Sequence, residues 1–153
     1  GFTQGSVTLP GRNQPGLGAV WANDPPCAHW RGGAAGRAFL ELPTAAALDE
    51  IGPHREAPCD PRHLRLERDG LADWGPGLIR DLVRWQVEHD WWLKSVVVMT
   101  HNTRCYDDPN DPYRRNLELI ADAIAATAQD FGLELTPATL AQVRAAARCE
   151  VSP

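Results

Sequence analysis

Lysine is nearly missing from this chain: Lys94 stands alone against 14 arginines. Arginine spread over the whole length serves no single ligand, so the imbalance reads as a coding bias of bacterial-like kind. Locally, each rigid guanidinium fork still suits carboxylates and phosphates better than an ammonium does. Long apolar runs are missing too. A run such as Val96-Val97-Val98-Met99 falls far below the roughly 20 residues that cross a bilayer, so no membrane partner is expected. The start, Gly1-Phe2-Thr3-Gln4, has no basic stretch leading into an apolar one. No secretion signal is therefore visible, and the compartment stays unassigned.

Several motifs are absent as well. The chain holds no Walker A sequence, GxGxxG, HExxH, GxSxG, CxxCH or kinase signature. That sets aside P-loop ATPases, Rossmann dehydrogenases, zincin proteases, α/β-hydrolases and c-type haem proteins. A basic surface is also lacking: the formal net charge is −5. Nucleic-acid affinity rests on cationic surface, so nucleic acid is not an expected partner.

What is present suits one globular domain over residues 1–153. Hydrophobic residues make up 43% and charged residues 23%, which is neither a disordered nor a fibrous composition. A chain of this length buries roughly two thirds of its unfolded surface and folds without a staple. Six tryptophans supply large apolar areas for the core or for a ligand.

The N-terminal third is irregular. Residues 1–36 hold eight glycines and four prolines, a stretch of turns with one short strand over 17–23. A strand follows over 37–42. A short helix over 44–50 comes next, with Thr44 as its cap, and a polar loop over 53–62. Residues 63–68 alternate, Leu64 and Leu66 on one face and His63, Arg65 and Glu67 on the other, as in a half-buried strand. Leu78, Leu82, Trp85 and Trp92 mark a helix over 77–94 with Pro76 at its start. The β-branched run 95–100 reads as a buried strand. Asp111 caps a helix with Pro112 in its first position and Gly132 just past its end. A short strand over 133–135 and a helix over 137–148 close the chain. The order predicts an α+β or α/β fold, a small mixed sheet covered by about three helices.

The four cysteines and five histidines fall in clusters. Cys27, His29, Cys59 and His63 are of the right chemical type to hold zinc in a tetrahedron if their two loops meet. No CxxC pair accompanies them. Four plain thiols or two disulfides remain open beside the metal.

The segment richest in chemistry is His101-Asn102-Thr103-Arg104-Cys105, directly after the 95–100 strand. Ligands gather at the carboxyl ends of strands in α/β proteins. There His101 can serve as a general base, Arg104 as an anion holder, and Cys105 as a nucleophile once its thiolate is stabilised. His63, Arg65, Asn102 and Tyr106 are the expected substrate-binding residues, with the 63–67 strand face lining a groove beside His101. Arg114 and Arg115 stand in the first turn of a helix, where the dipole disfavours cations, so they call for an anionic partner such as Asp107, Asp108 or Asp111.

Two functions follow from these residues. The first is a small enzyme, hydrolase or transferase in type, acting on a polar or anionic substrate through the His101, Arg104 and Cys105 cluster. The second is a non-catalytic binding module, an inhibitor, immunity-type or accessory domain. Its acidic surface and tryptophans would meet a basic protein partner.

Overall fold

The computed structural model describes residues 4–5, 27–31, 39–50, 62–101 and 106–150. Among them the fold is mostly helical. Helix α1 spans Leu71–Glu88, α2 spans Pro112–Asp130 and α3 spans Leu140–Glu150. The paired backbone is slight by comparison. Strands β1 (Gln4–Gly5), β2 (His29–Arg31) and β3 (Phe39–Glu41) run for two or three residues each. β1 pairs parallel and β2 antiparallel with β3. The expected small mixed sheet under a layer of helices is thus corrected to a helical fold with a patch of short pairings. Strands of this length fall well under the usual five or six residues and form no platform.

The corrections have local causes. The β-branched run 95–100, expected as a strand, is only half buried, and one isolated bridge, Met99 with Arg65, is what it forms. The alternating stretch 63–68 contributes that bridge and a second, His63 with Ala46. Leu64 and Leu66 do point inward, at 0% and 1% exposure. Residues 44–50 are not a helix: Thr44 is buried, and a single 3-10 turn over Leu48–Glu50 ends the stretch. Residues 133–135 form no strand. The strand expected over 17–23 lies outside the described residues.

Helix α1 begins six residues before the expected start. Pro76 lies inside it rather than at its mouth. A proline there removes one backbone bond and costs about 3 kcal/mol. Burial of Leu71 and of Gly75 outweighs it. A Cβ on Gly75 would stand 3.0 Å from Ile120 Cδ1, so glycine lets α1 and α2 approach closely at this point.

Both long helices end in the same Schellman motif. After α1, Asp90 adopts the left-handed conformation (φ 45°), its N–H donates to Val87 O, and Trp91 N donates to Gln86 O at 2.8 Å. After α2, Gly132 takes that place (φ 64°), with Gly132 N on Gln129 O and Leu133 N on Ala128 O. Asp111 caps α2 as expected, accepting from Tyr113 N, with Pro112 in the first position.

The contacts orient the helices. Asn116, early in α2, donates to Leu66 O just before α1, Ile120 meets Gly75, and Asp130 at the end of α2 pairs with Arg80. The two helices therefore run in the same direction. The chain between them must travel back, and residues 95–101 do so, returning it beside residues 62–66. The main core gathers Leu64, Leu66, Leu71, Leu78, Ile79, Leu82 and Ile120. A smaller one joins Ala28, Leu40, Leu42 and Ala147 of α3. Among the described residues no helix is long and apolar enough to cross a membrane.

Candidate functional site

The return of the chain brings residues far apart in sequence to one place. Leu64 N donates to Ala45 O and Met99 N to Leu64 O, while Leu66 N donates to Met99 O. Leu64 and Leu66 face the core, so Arg65 and Glu67 face the other way, toward Thr100 and His101.

Glu67 is the hub of that cluster. Its side chain is 8% exposed. It accepts from His101 N at 2.8 Å, Thr100 Oγ1 at 2.9 Å and Arg65 Nε at 3.2 Å. Burial pushes its carboxyl up. The hydrogen bonds from the His101 backbone, Thr100, its own backbone and Arg65 outweigh burial and hold it below the usual carboxylate range.

Arg65 Nη2 lies 2.9 Å from His101 Nδ1 and 3.0 Å from Nε2. The two ring nitrogens aim their lone pairs in different in-plane directions, so one donor cannot serve both along the plane. An in-plane position at equal distances would drive it into Cε1. The guanidinium nitrogen therefore sits over the ring face, and among the described residues no hydrogen-bond partner meets the in-plane edge of the imidazole. The His101 side chain is 53% exposed. Its Nδ1 is 3.6 Å from Glu67 Oε1.

Tyr106 OH meets Thr100 Oγ1, and Arg114 Nη1 donates to Tyr106 O at 2.9 Å. Arg114 also holds Glu118 at 2.7 Å, and Arg115 donates to Asn110 O. Arg114 thus has Glu118 as an anionic partner, and both arginines donate to backbone carbonyls, Arg114 to Tyr106 O and Arg115 to Asn110 O.

Of the expected site residues, the structure brings Arg65, His101 and Tyr106 together. His63 is apart from their chemistry: it is buried, and Arg68 Nη2 donates to its Nδ1 at 3.2 Å. Asn102, Arg104 and Cys105 lie outside the described residues. Thr100 was not among the expected site residues, and Glu67 was expected only as part of the groove-lining face it shares with Arg65. The alternation had placed Glu67 on the Arg65 face, and a carboxylate two residues from an arginine on one face is the signal for a pair.

Of the expected zinc ligands, the described ones, Cys27, His29 and His63, are not placed to hold one metal ion together. Cys27 is a free, buried thiol, and burial pushes its pKa up to about 12. His29 Nδ1 donates to Cys27 O at 2.8 Å, and its Nε2 faces Glu41 at 3.5 Å. Cys59 lies outside the described residues. Among the described residues no group of three His, Cys, Asp or Glu side chains is placed to hold a metal ion. No feature among the described residues supports metal binding or hydrolase chemistry.

Comparison with protein-family models, with curated proteins and with solved structures returns no match.

Proposed function

We propose that this chain is a small enzyme of transferase type that handles a polar, anionic substrate by general acid–base chemistry at the Arg65–Glu67–His101 cluster. The observation that supports this reading is the seating of Arg65 over His101, thirty-six residues away in sequence. Arg65 offers a guanidinium to the anionic donor. As the oxygen or nitrogen of the acceptor bonds to the transferred group, His101 takes its proton; the bond from that group to the donor's leaving atom breaks, and His101 returns the proton to the leaving atom. Glu67, held ionised, stands where it stabilises the imidazolium that results.

Inorganic phosphate is the first probe, read by ¹H–¹⁵N chemical shifts. Saturable shifts at Arg65 and His101, lost in Arg65→Met and in His101→Gln with the melting temperature unchanged, are the expected result. Binding that survives both substitutions, or no saturable binding, overturns the proposal.

A further inference from the structure

A concave site lies toward the opposite end of α1 from the Arg65 cluster. It is a cleft of about 460 Å³ between the 47–49 stretch and α1. That volume is in the range of small-molecule sites. Its apolar lining is Ala47, Leu48, Leu78 and the half-exposed indole of Trp85.

The charges around it are not balanced in their availability. Both arginines of the cleft are engaged: Arg62 by Glu50 and Asp49, and Arg84 by Asp81 at 3.0 Å. Glu88, the last residue of α1, is exposed and makes no hydrogen bond or ion pair among the described residues. It also stands at the negative end of the helix dipole, and the last turn of α1 holds no basic residue. The nearby Lys94 amine is taken up by Trp91 O at 2.7 Å and lies 3.8 Å from Asp90. His89 stacks on Trp85 with ring centroids 4.1 Å apart, so it is the open carboxylate at the helix C-terminus, more than the indole face, that calls for a cation.

We infer that this cleft binds a small organic ammonium ion, with the charge at Glu88 and the C-terminal end of α1, and the apolar body against Trp85 and Leu78. This site is independent of the Arg65–His101 cluster and calls for a ligand of opposite charge.

The test uses 2-phenylethylamine and 3-phenylpropionate, which share one aromatic body and carry opposite charges at pH 7. ¹H–¹⁵N spectra of the whole chain report both. The amine is expected to give saturable shifts confined to the backbone of Leu78, Asp81 and Glu88 and the Trp85 indole, with a dissociation constant of about 1–10 mM for so small a ligand. The carboxylate is expected to give none. Glu88→Gln, a change at an exposed position, is expected to weaken the amine about fivefold with an unchanged melting temperature. Equal binding of the two ligands, shifts elsewhere on the molecule, or an undiminished affinity in Glu88→Gln each overturns the inference.

Discussion

Gln86 and Ser95 hold each other through both ends of one amide. Ser95 N donates to Gln86 Oε1 at 2.6 Å, and Gln86 Nε2 donates back to Ser95 O at 3.1 Å. Gln86 is fully buried, so this pairing replaces the water both groups lost. It fixes the point at which the chain, having left α1, starts back toward residues 62–66.

Gln86→Leu keeps the shape and removes both partners of Ser95. A half-buried N–H and carbonyl lose their partner, and a loss of about 1–2 kcal/mol in unfolding free energy is expected. Urea denaturation measures it, and Gln86→Glu serves as a companion that keeps one acceptor.

Asp90 and Gly132 fill equivalent places after α1 and α2. Asp90→Gly relieves a left-handed side-chain-bearing residue, and about 0.5–1 kcal/mol of added stability is expected. Gly132→Ala imposes the same strain where none existed, with a loss of about 1 kcal/mol. Nothing lies within 4 Å of a Cβ at Gly132, so the loss is backbone strain without a clash. Paired thermal melts of the two variants should move in opposite directions.

Glu67 ties acid stability to the Arg65 cluster. Its carboxyl is held below the usual range in the folded state. Such a group stabilises fully above its unfolded pKa of about 4.3, and that contribution fades as pH falls through the folded value. Glu67→Gln should therefore cost about 1–2 kcal/mol at pH 7 and progressively less below pH 4. Urea midpoints of the two proteins compared across pH 2–7 test the convergence.

Cys27 acts at the other end of the scale. Burial raises its thiol from 9.0 to about 12. The unfolded chain ionises first, so stability is intact below about pH 8.5 and declines above it toward the folded value. The native Cys27 peptide should resist iodoacetamide at pH 8 and be labelled once the chain is unfolded in urea, as peptide-resolved mass spectrometry will record. Cys27→Ala should flatten the alkaline decline.

What could be read from the chain followed the strength of each local signal. Asp111 with Pro112 marks the start of α2, and Gly132 its end, because cap, proline and glycine agree there. Leu64 and Leu66 were readable as inward by alternation alone. Pro76 misplaced the start of α1, since proline favours first turns and only the burial of Leu71 and Gly75 overrides it. The end of α1 was hidden because an aspartate, not a glycine, takes the left-handed position. The β-branched run 95–100 suggested a strand, yet strand formation needs partners along its whole length, and Leu64 with Leu66 offers two. Of the candidate site, Arg65 beside His101 was within reach of the face pattern. The hub role of Glu67 was not, because it depends on a backbone N–H thirty-four residues away.

The Arg65–Met99 bridge works as a vernier between two segments. Side chains alternate along extended backbone, so a slip of one residue would send Arg65 into the core and bring Leu66 out beside His101. The register is set by the apolar appetite of Leu64 and Leu66, and the polar cluster merely inherits it. Leu66 thus governs a polar cluster it never touches: truncating it would loosen the register that aligns Arg65, Glu67 and His101 while leaving each of them unaltered.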